Sequence, residues 1–328
     1  MTKDTFSFGS LGKPLVIMLV FWLVAVVLWR TTGRIFYLYN FLYIGTAIGA
    51  GIGLYVALPK RQKLWGRRFS QLLVGMYMLV FLGLMQSENM QIEGFFFYLL
   101  AGLFAGSVIH YLVAKIFGPL LFNRGWCGWA CWTAMVLDLL PFRWNKRGRL
   151  PSKWGYLRYA FFGLSLGLVL TLWFILGYRV ESSSVTELYW LIGGNTLYYA
   201  IAVPLAFVLQ DNRAFCKYVC PITTVLKPPS HLAMLKVAGD SEKCNDCGAC
   251  TKLCPMDILI PEYIKNGQRV LSTECILCFE CVNLCPQNAL YASFSLDAGN
   301  RELLNMRSCD AHTRETLSGK TMQVQDRH

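Results

Sequence analysis

Charge is what this chain lacks most. Asp, Glu, Lys and Arg make up 15% of its 328 residues, against 55% hydrophobic. Soluble domains usually carry about a quarter charged residues, so a membrane protein is expected. Histidine is scarcer still: His110, His231, His312 and His328 are all there are, and only His110 lies in an apolar run. A membrane-buried haem b with two histidine ligands needs a second one, so no haem b is expected. The apolar runs also lack the set of charges an ion transporter would need. No glycine-rich phosphate-binding fingerprint follows a strand, which argues against NAD(P)H oxidation by this chain. The formal charge of +12 would suit nucleic acid. The basic residues lie between apolar runs and not on one solvated face, so no nucleic-acid partner is expected. The first apolar run is long and no small-residue cleavage site follows it, so a retained span is expected there.

What the chain does have is long apolar runs, near 15–30, 35–58, 69–86, 95–117, 156–178 and 188–209. Each is long enough to cross roughly 30 Å of hydrocarbon. The first two are separated by "TTGR" and should form a tight hairpin. The glycines of "GTAIGAGIG" should let the second helix approach its neighbours closely. The loops "PKRQKLWGRR" (59–68) and "RWNKRGRLPSKWGYLR" (143–158) are basic, whereas "QSENMQIEG" and "VESSSVTE" are short and acidic. The positive-inside rule then places the basic loops and both termini in the cytoplasm. The expected fold is an all-α polytopic membrane domain of about six transmembrane helices, with a C-terminal α+β bacterial-type two-cluster ferredoxin domain. Its parts are a cytoplasmic N-terminus (1–14), the membrane domain (15–210), a connector (211–236), the ferredoxin domain (237–296) and a polar tail (297–328). Cys309, in the tail, falls in no motif and has no assigned role.

The ferredoxin domain rests on "CNDCGACTKLCP" (244–255), repeated thirty-one residues on as "CILCFECVNLCP" (275–286). Both have the Cys-x-x-Cys-x-x-Cys-x-x-x-Cys-Pro spacing of bacterial [4Fe–4S] sites. Three closely spaced thiolates can wrap three irons of one cubane, and the fourth cysteine turns towards the other cluster. Pairing is therefore crossed: Cys244, Cys247, Cys250 with Cys285, and Cys275, Cys278, Cys281 with Cys254. Zinc sites are usually two separated pairs around one tetrahedral ion, which fits poorly. A disulfide framework is out of place on a reducing, cytoplasmic side.

Two more cysteine pairs follow apolar runs. "RGWCGWACW" holds Cys127 and Cys131, and "RAFCKYVCP" holds Cys216 and Cys220. Each has an arginine three residues before its first cysteine. If helical, each pair would have Cβ atoms about 5–6 Å apart, too far for an unstrained disulfide. Buried free cysteine is one reading. The other is a joint site, in which four thiolates hold a third soft-metal centre: an Fe–S cluster, Zn or Cu(I). His110 is either a quinone contact or a histidine satisfied by a neighbouring helix. Lys115 reads as a snorkelling interface lysine. Asp138 reads as a proton acceptor, a cap or a partner of the basic loop, and Asn40 and Asn195 read as helix contacts.

A multi-span chain with two Cys-x-x-x-Cys motifs and a two-cluster ferredoxin resembles the NapH/NosR-type family of membrane iron–sulfur proteins. The matching residues are Cys127, Cys131, Cys216, Cys220, Pro221 and the eight ferredoxin cysteines. Trp132 stands where the family often has Pro, and no flavin-binding extracytoplasmic domain of the NosR kind is expected. The resemblance implies quinol-linked electron transfer to a partner oxidoreductase. On this reading the chain is a quinol dehydrogenase-type subunit of the bacterial or archaeal cytoplasmic membrane, with no catalytic residue of its own. The implied partners are the lipid bilayer, the quinone pool and other redox subunits. A second reading is an assembly or sensing protein that handles copper for a partner metalloenzyme, with the ferredoxin domain as electron source.

Overall fold

The computed structural model describes residues 11–104, 106–142, 148–180, 184–297 and 302. Part of the second basic loop (143–147) and the tail bearing Cys309, His312 and His328 lie outside the described residues. Helices α1 (Gly12–Thr32) and α2 (Ile35–Ala57) form the expected hairpin. Gly33, at φ 68°, caps α1 through an N–H bond to the Trp29 carbonyl. This left-handed turn favours glycine. The glycine face of α2 then packs closely on both sides: a Cβ on Gly45 would overlap the Phe21 Cβ, and one on Gly51 would overlap Ser70. Helix α3 (Lys63–Met76) continues through wider π-helical turns to Met85. There Tyr77 donates to Asn40 at 2.7 Å, so Asn40 is a helix contact.

Among the described residues, five helices are long and apolar enough to cross a membrane: Gly12–Thr32, Ile35–Ala57, Lys60–Met85, Lys153–Ile175 and Val185–Leu209. The run at 95–117 does not form the single span that its hydropathy predicts. It is split between α4 (Ile92–Leu100) and α5 (Gly106–His110), with Gly102 at φ 69° in the turn between them. Helix α5 goes on through Tyr111–Phe117 into α6 (Gly118–Phe122). The acidic stretch before α4 is not a surface loop either. Asn89, Met90, Gln91 and Ile92 are at most 1% exposed. Met90 shares a core with Ala130, Trp132 and Leu191. Phe97, further along α4, packs on Tyr178 and Trp190. Residues 86–100 therefore enter the bundle as extended chain and leave it as a short helix. A hydropathy average over the run misses this, because its apolar residues flank a glycine turn and its polar ones are enclosed by helices distant in sequence.

After α6 come two short helices, α7 (Gly125–Trp129) and α8 (Trp132–Leu137), then α9 (Leu157–Leu170) and α10 (Val185–Leu209). Ser184 caps α10 by accepting the Glu187 N–H at 3.3 Å, the Ser-x-x-Glu pattern of a helix start. The chain then forms α11 (Ala214–Tyr218) and α12 (Ile222–His231). The second of these runs through Pro228 and Pro229 and buries Ile222, Thr223, Leu226 and Ser230, so much of the expected connector is a packed helix.

The C-terminal domain is a two-stranded antiparallel sheet, β1 (Leu235–Gly239) with β2 (Leu290–Phe294), in which Val237 faces Ala292. Between the strands lie α13 (Ala249–Leu253), α14 (Ile260–Lys265) and α15 (Glu280–Asn283). The internal repeat extends to the backbone. Left-handed φ values at Asp246, Gly248 and Asp257 recur at Leu277, Phe279 and Asn288, each thirty-one residues on. Leucine and phenylalanine rarely adopt that region, and here both flank Cys278 in the second cysteine run.

Candidate metal centres

The second cysteine run lines a small apolar cavity of about 20 Å³. Cys275, Cys278 and Cys281 line it together with Cys254 from the first run. Cys250, in turn, lies in electrostatic reach of Cys244, Cys247 and Cys285. The fold thus gathers the cysteines in two crossed sets of four. Burial pushes the Cys250, Cys254, Cys275 and Cys278 thiols up to about 12. Loading such a site with metal has to displace protons. Among the described residues no three His, Cys, Asp or Glu side chains converge on the scale of a single metal ion. Two crossed sets of four cysteine sulfurs are the donor set of two cubane clusters.

The membrane pairs also converge. Cys220 lies in electrostatic reach of Cys216, Cys127 and Cys131, and Cys216 in reach of Cys127 and Cys131. The two pairs are built alike, though neither lies within one continuous helix. Cys127 sits in α7 and Cys131 just before α8, with the Cys131 N–H donating to the Trp126 carbonyl at 3.0 Å. Cys216 sits in α11, and the Cys220 N–H donates to the Phe215 carbonyl at 2.9 Å. Burial pushes the Cys216 thiol up to about 11, against the pull of Arg213.

The arginine before each pair is a structural part of the site. Arg124 is 0% exposed and Arg213 2%. Arg213 donates to the Cys127 carbonyl at 3.0 Å and pairs with Asp138 at 2.6 Å. Arg67, from the first basic loop, holds the Gly128 carbonyl at 2.6 Å and reaches the same Asp138 oxygen at 3.2 Å. Asp138 is thus a partner of that loop. Burial alone would raise its pKa, but Arg213 and Arg67 more than offset this and hold it below the ordinary carboxylate range.

The first membrane pair meets the ferredoxin domain directly. The Arg124 N–H donates to the Cys275 carbonyl at 3.3 Å, and Trp129 Nε1 to the Leu277 carbonyl at 2.8 Å. A Cβ on Gly128 would overlap the Ile276 carbonyl oxygen. Glu274, just before Cys275, is the hub of this contact. Its carboxylate pairs with Arg124 at 2.5 Å, Arg158 at 2.8 Å, Lys227 at 3.1 Å and Arg149 at 3.5 Å. A second buried link joins Lys217 to Asp211 and Asp257, at 2.6 and 2.5 Å.

His110 lies beside the cysteine chamber, its ring 4.7 Å from Trp126 and 6.4 Å from Trp132. Its Nε2 atom is enclosed and has no hydrogen-bond partner. Lys115 does not snorkel. It is 2% exposed, its Nζ lies 4.6 Å from the centre of the Trp126 ring, and Cys131, Cys127 and Cys220 act on it electrostatically. The cysteine sulfurs it faces, absent from any local hydropathy pattern, give it a reason to point inward. Asn195 accepts from Trp132 Nε1 at 2.9 Å, a helix contact as expected. Glu274, Arg67 and Arg158 escaped the sequence reading, since their ion-pair partners lie 47 to 150 residues away. The only local sign was that Glu274 is an acid immediately before a cluster cysteine.

A family model described as "4Fe-4S dicluster domain" matches residues 236–286. Another, described as "4Fe-4S binding domain", matches 97–149 and 193–233, the two segments that carry the membrane cysteine pairs. Among curated proteins, the chain is similar to YccM of Escherichia coli, named as an electron transport protein, with 28% identity over 181 residues. That match covers 50% of this chain and 49% of YccM, so the chain spans about half the length of that relative. An uncharacterized Methanocaldococcus jannaschii protein, MJ0749, is 28% identical over 47% of this chain and 60% of its own length. The methylamine utilization ferredoxin-type protein MauN of Paracoccus denitrificans is 25% identical over 52% of this chain and 62% of its own. No solved structure matches the chain. Electron transfer through [4Fe–4S] clusters is the chemistry that these similarities support.

Proposed function

We propose that this chain is a NapH/NosR-type membrane electron-transfer subunit that moves electrons between the quinone pool and a partner oxidoreductase. Cys127, Cys131, Cys216 and Cys220 would hold a third cluster. Cys275, Cys278, Cys281 and Cys254 would hold the inner ferredoxin cluster, and Cys244, Cys247, Cys250 and Cys285 the outer one. Clusters at these sites supply reversible one-electron oxidation and reduction. The observation that carries the reading is the seating of the Cys275 loop on α7, with the Arg124 N–H on the Cys275 carbonyl. It puts the membrane cysteines and the inner ferredoxin set on either side of one backbone contact. Arg124, Arg213 and Lys115 offset the negative charge of four thiolates in a buried place. His110 is the proposed quinone contact: its unpartnered Nε2, enclosed beside Trp126 and Trp132, would hydrogen-bond a carbonyl or accept a proton from a quinone seated there. The basic loops put the ferredoxin side in the cytoplasm of a bacterial or archaeal cell.

Metal analysis and EPR of the purified protein test this. About twelve irons and no copper are expected, four for each cubane. Replacing Cys127 and Cys216 with Ser should remove about four of them and leave the ferredoxin signals intact. Eight irons with stoichiometric copper would favour the copper-handling alternative. A quinol analogue should change the cluster signals of the intact complex, and no change would sink the quinone assignment.

A further inference from the structure

A line of buried polar side chains runs through the membrane domain, away from the ferredoxin. The buried face of α10 carries Glu187, Asn195 and Tyr198, at 0%, 7% and 6% exposure. From Glu187 to Tyr198 the helix rises about 16 Å, roughly half of a hydrocarbon core. Gln91 and Tyr98 approach this stripe from the re-entrant segment, and Ser107 of α5 follows Gly106, where a Cβ would meet Glu88. All three are at most 1% exposed. The hydroxyls of Tyr98 and Ser107 and both amide atoms of Gln91 have no hydrogen-bond partner. One carboxylate oxygen of Glu187 and one of Glu88 are likewise unpartnered.

Contacts and charged neighbours set these groups in order along the bundle. At the cysteine end, Tyr198 lies in electrostatic reach of Tyr111, Cys220 and Cys131, and both tyrosine hydroxyls lack a partner. Midway, Trp132, which follows Cys131, donates to Asn195. One residue before Asn195, a Cβ on Gly194 would lie 3.2 Å from Gln91 Cγ. At the far end, Tyr98 is in reach of Glu187 and Glu88, and Glu88 is partly open to the surface. Tyr178 donates to Glu187 at 3.5 Å, and no cation is among the groups acting on that carboxylate.

Irregular backbone at membrane depth is tolerated where it is buried in protein or lines a watered cavity. Unpaired polar groups inside a span mark proton or ion paths. We infer that this file carries protons between the face remote from the ferredoxin and the four-cysteine chamber, with Glu187 as the residue that holds the proton. The inference rests on the redox role proposed for that chamber. One electron entering the chamber adds one negative charge to a low-dielectric interior, where uncompensated charge is costly. One proton taken up along the file balances it, and reoxidation releases both. Water molecules bridging the unpartnered hydroxyls and amides would complete the chain of hydrogen bonds.

Infrared difference spectroscopy on the purified full chain, cycled between oxidised and reduced states at an electrode, tests this without a quinone. A carboxylic C=O band that shifts in D2O should accompany reduction. It should vanish in Glu187→Gln and persist in Glu242→Gln, an exposed control. Tyr98→Phe, which removes only a hydroxyl, should keep the band but move its position. No such band in a protein with twelve irons, or a band unchanged in both Glu187→Gln and Tyr98→Phe, overturns the proton file alone. Eight irons and no redox signal from the membrane cysteines overturns the underlying electron-transfer reading, and the file with it.

Discussion

Asp138 gathers the two halves of the membrane cysteine site onto one carboxylate. Arg67 and Arg213 both reach its Oδ2 atom, and each also holds a backbone carbonyl of α7, at Gly128 and Cys127. Removing one partner of a buried ion pair typically costs about 3–5 kcal/mol, because the remaining charge is left uncompensated. Asp138→Asn should therefore lower the thermal stability of the detergent-solubilised protein by an amount of that order. The native pKa of Asp138 is depressed. Its contribution is thus present in full above the ordinary Asp value of about 3.9 and is lost as pH falls through the lowered native value. Unfolding curves of the wild type and the Asn variant should differ at neutral pH and converge in strong acid. Lys115 makes a related point. Its inward position reflects the sulfurs it faces, and replacing it would leave those sulfurs with less compensating charge.

At the scale of elements, α7 shows how little room the cysteine site leaves for change. Gly128→Ala would put a methyl group into the Ile276 carbonyl, a backbone atom that cannot turn aside. The ferredoxin loop would have to move, at about 1–3 kcal/mol for such overpacking. Expected outcomes are a lower melting temperature and loss of the Trp129–Leu277 hydrogen bond, seen as a change in tryptophan fluorescence. Gly163→Ala on α9 is the control: its Cβ would meet nothing within 4 Å, and it should be neutral or slightly stabilising. The elements also differ in how far the sequence revealed them. The α1–α2 hairpin, the glycine face of α2 and the repeated cysteine runs were readable because their signals are local: a turn, a stripe, a spacing. The break at Gly102 and the burial of residues 89–91 were not. Glu88, Asn89 and Gln91 look like a hydrated loop until Leu191, Trp132 and Gly194, far along the chain, close around them. Likewise, the matched arginines hinted that the membrane cysteine pairs belong together, but which residues anchor them to the ferredoxin depends on contacts across 40 to 150 residues.

Across the whole molecule, one buried carboxylate joins two domains. Glu274 faces Arg124 and Arg158 from the membrane domain, Arg149 from the loop before α9, and Lys227 from α12. Glu274→Gln would leave these cations without their counter-charge, a loss of about 3–5 kcal/mol or more. The ferredoxin domain should then loosen from its seat, detectable as rapid proteolysis around residues 232–234 between α12 and β1. The seat has a further consequence for how such a protein would trade electrons. Many ferredoxins are couriers, whose delivery depends on diffusion and collision. This one is bolted to the membrane domain, with the Cys275 set facing inward against α7 and Cys247, at the other set, exposed to solvent. In the proposed role it would act as a cable with one bare terminal, trading electrons with outside partners at the Cys247 end, and a regulator would need only to cover that tip.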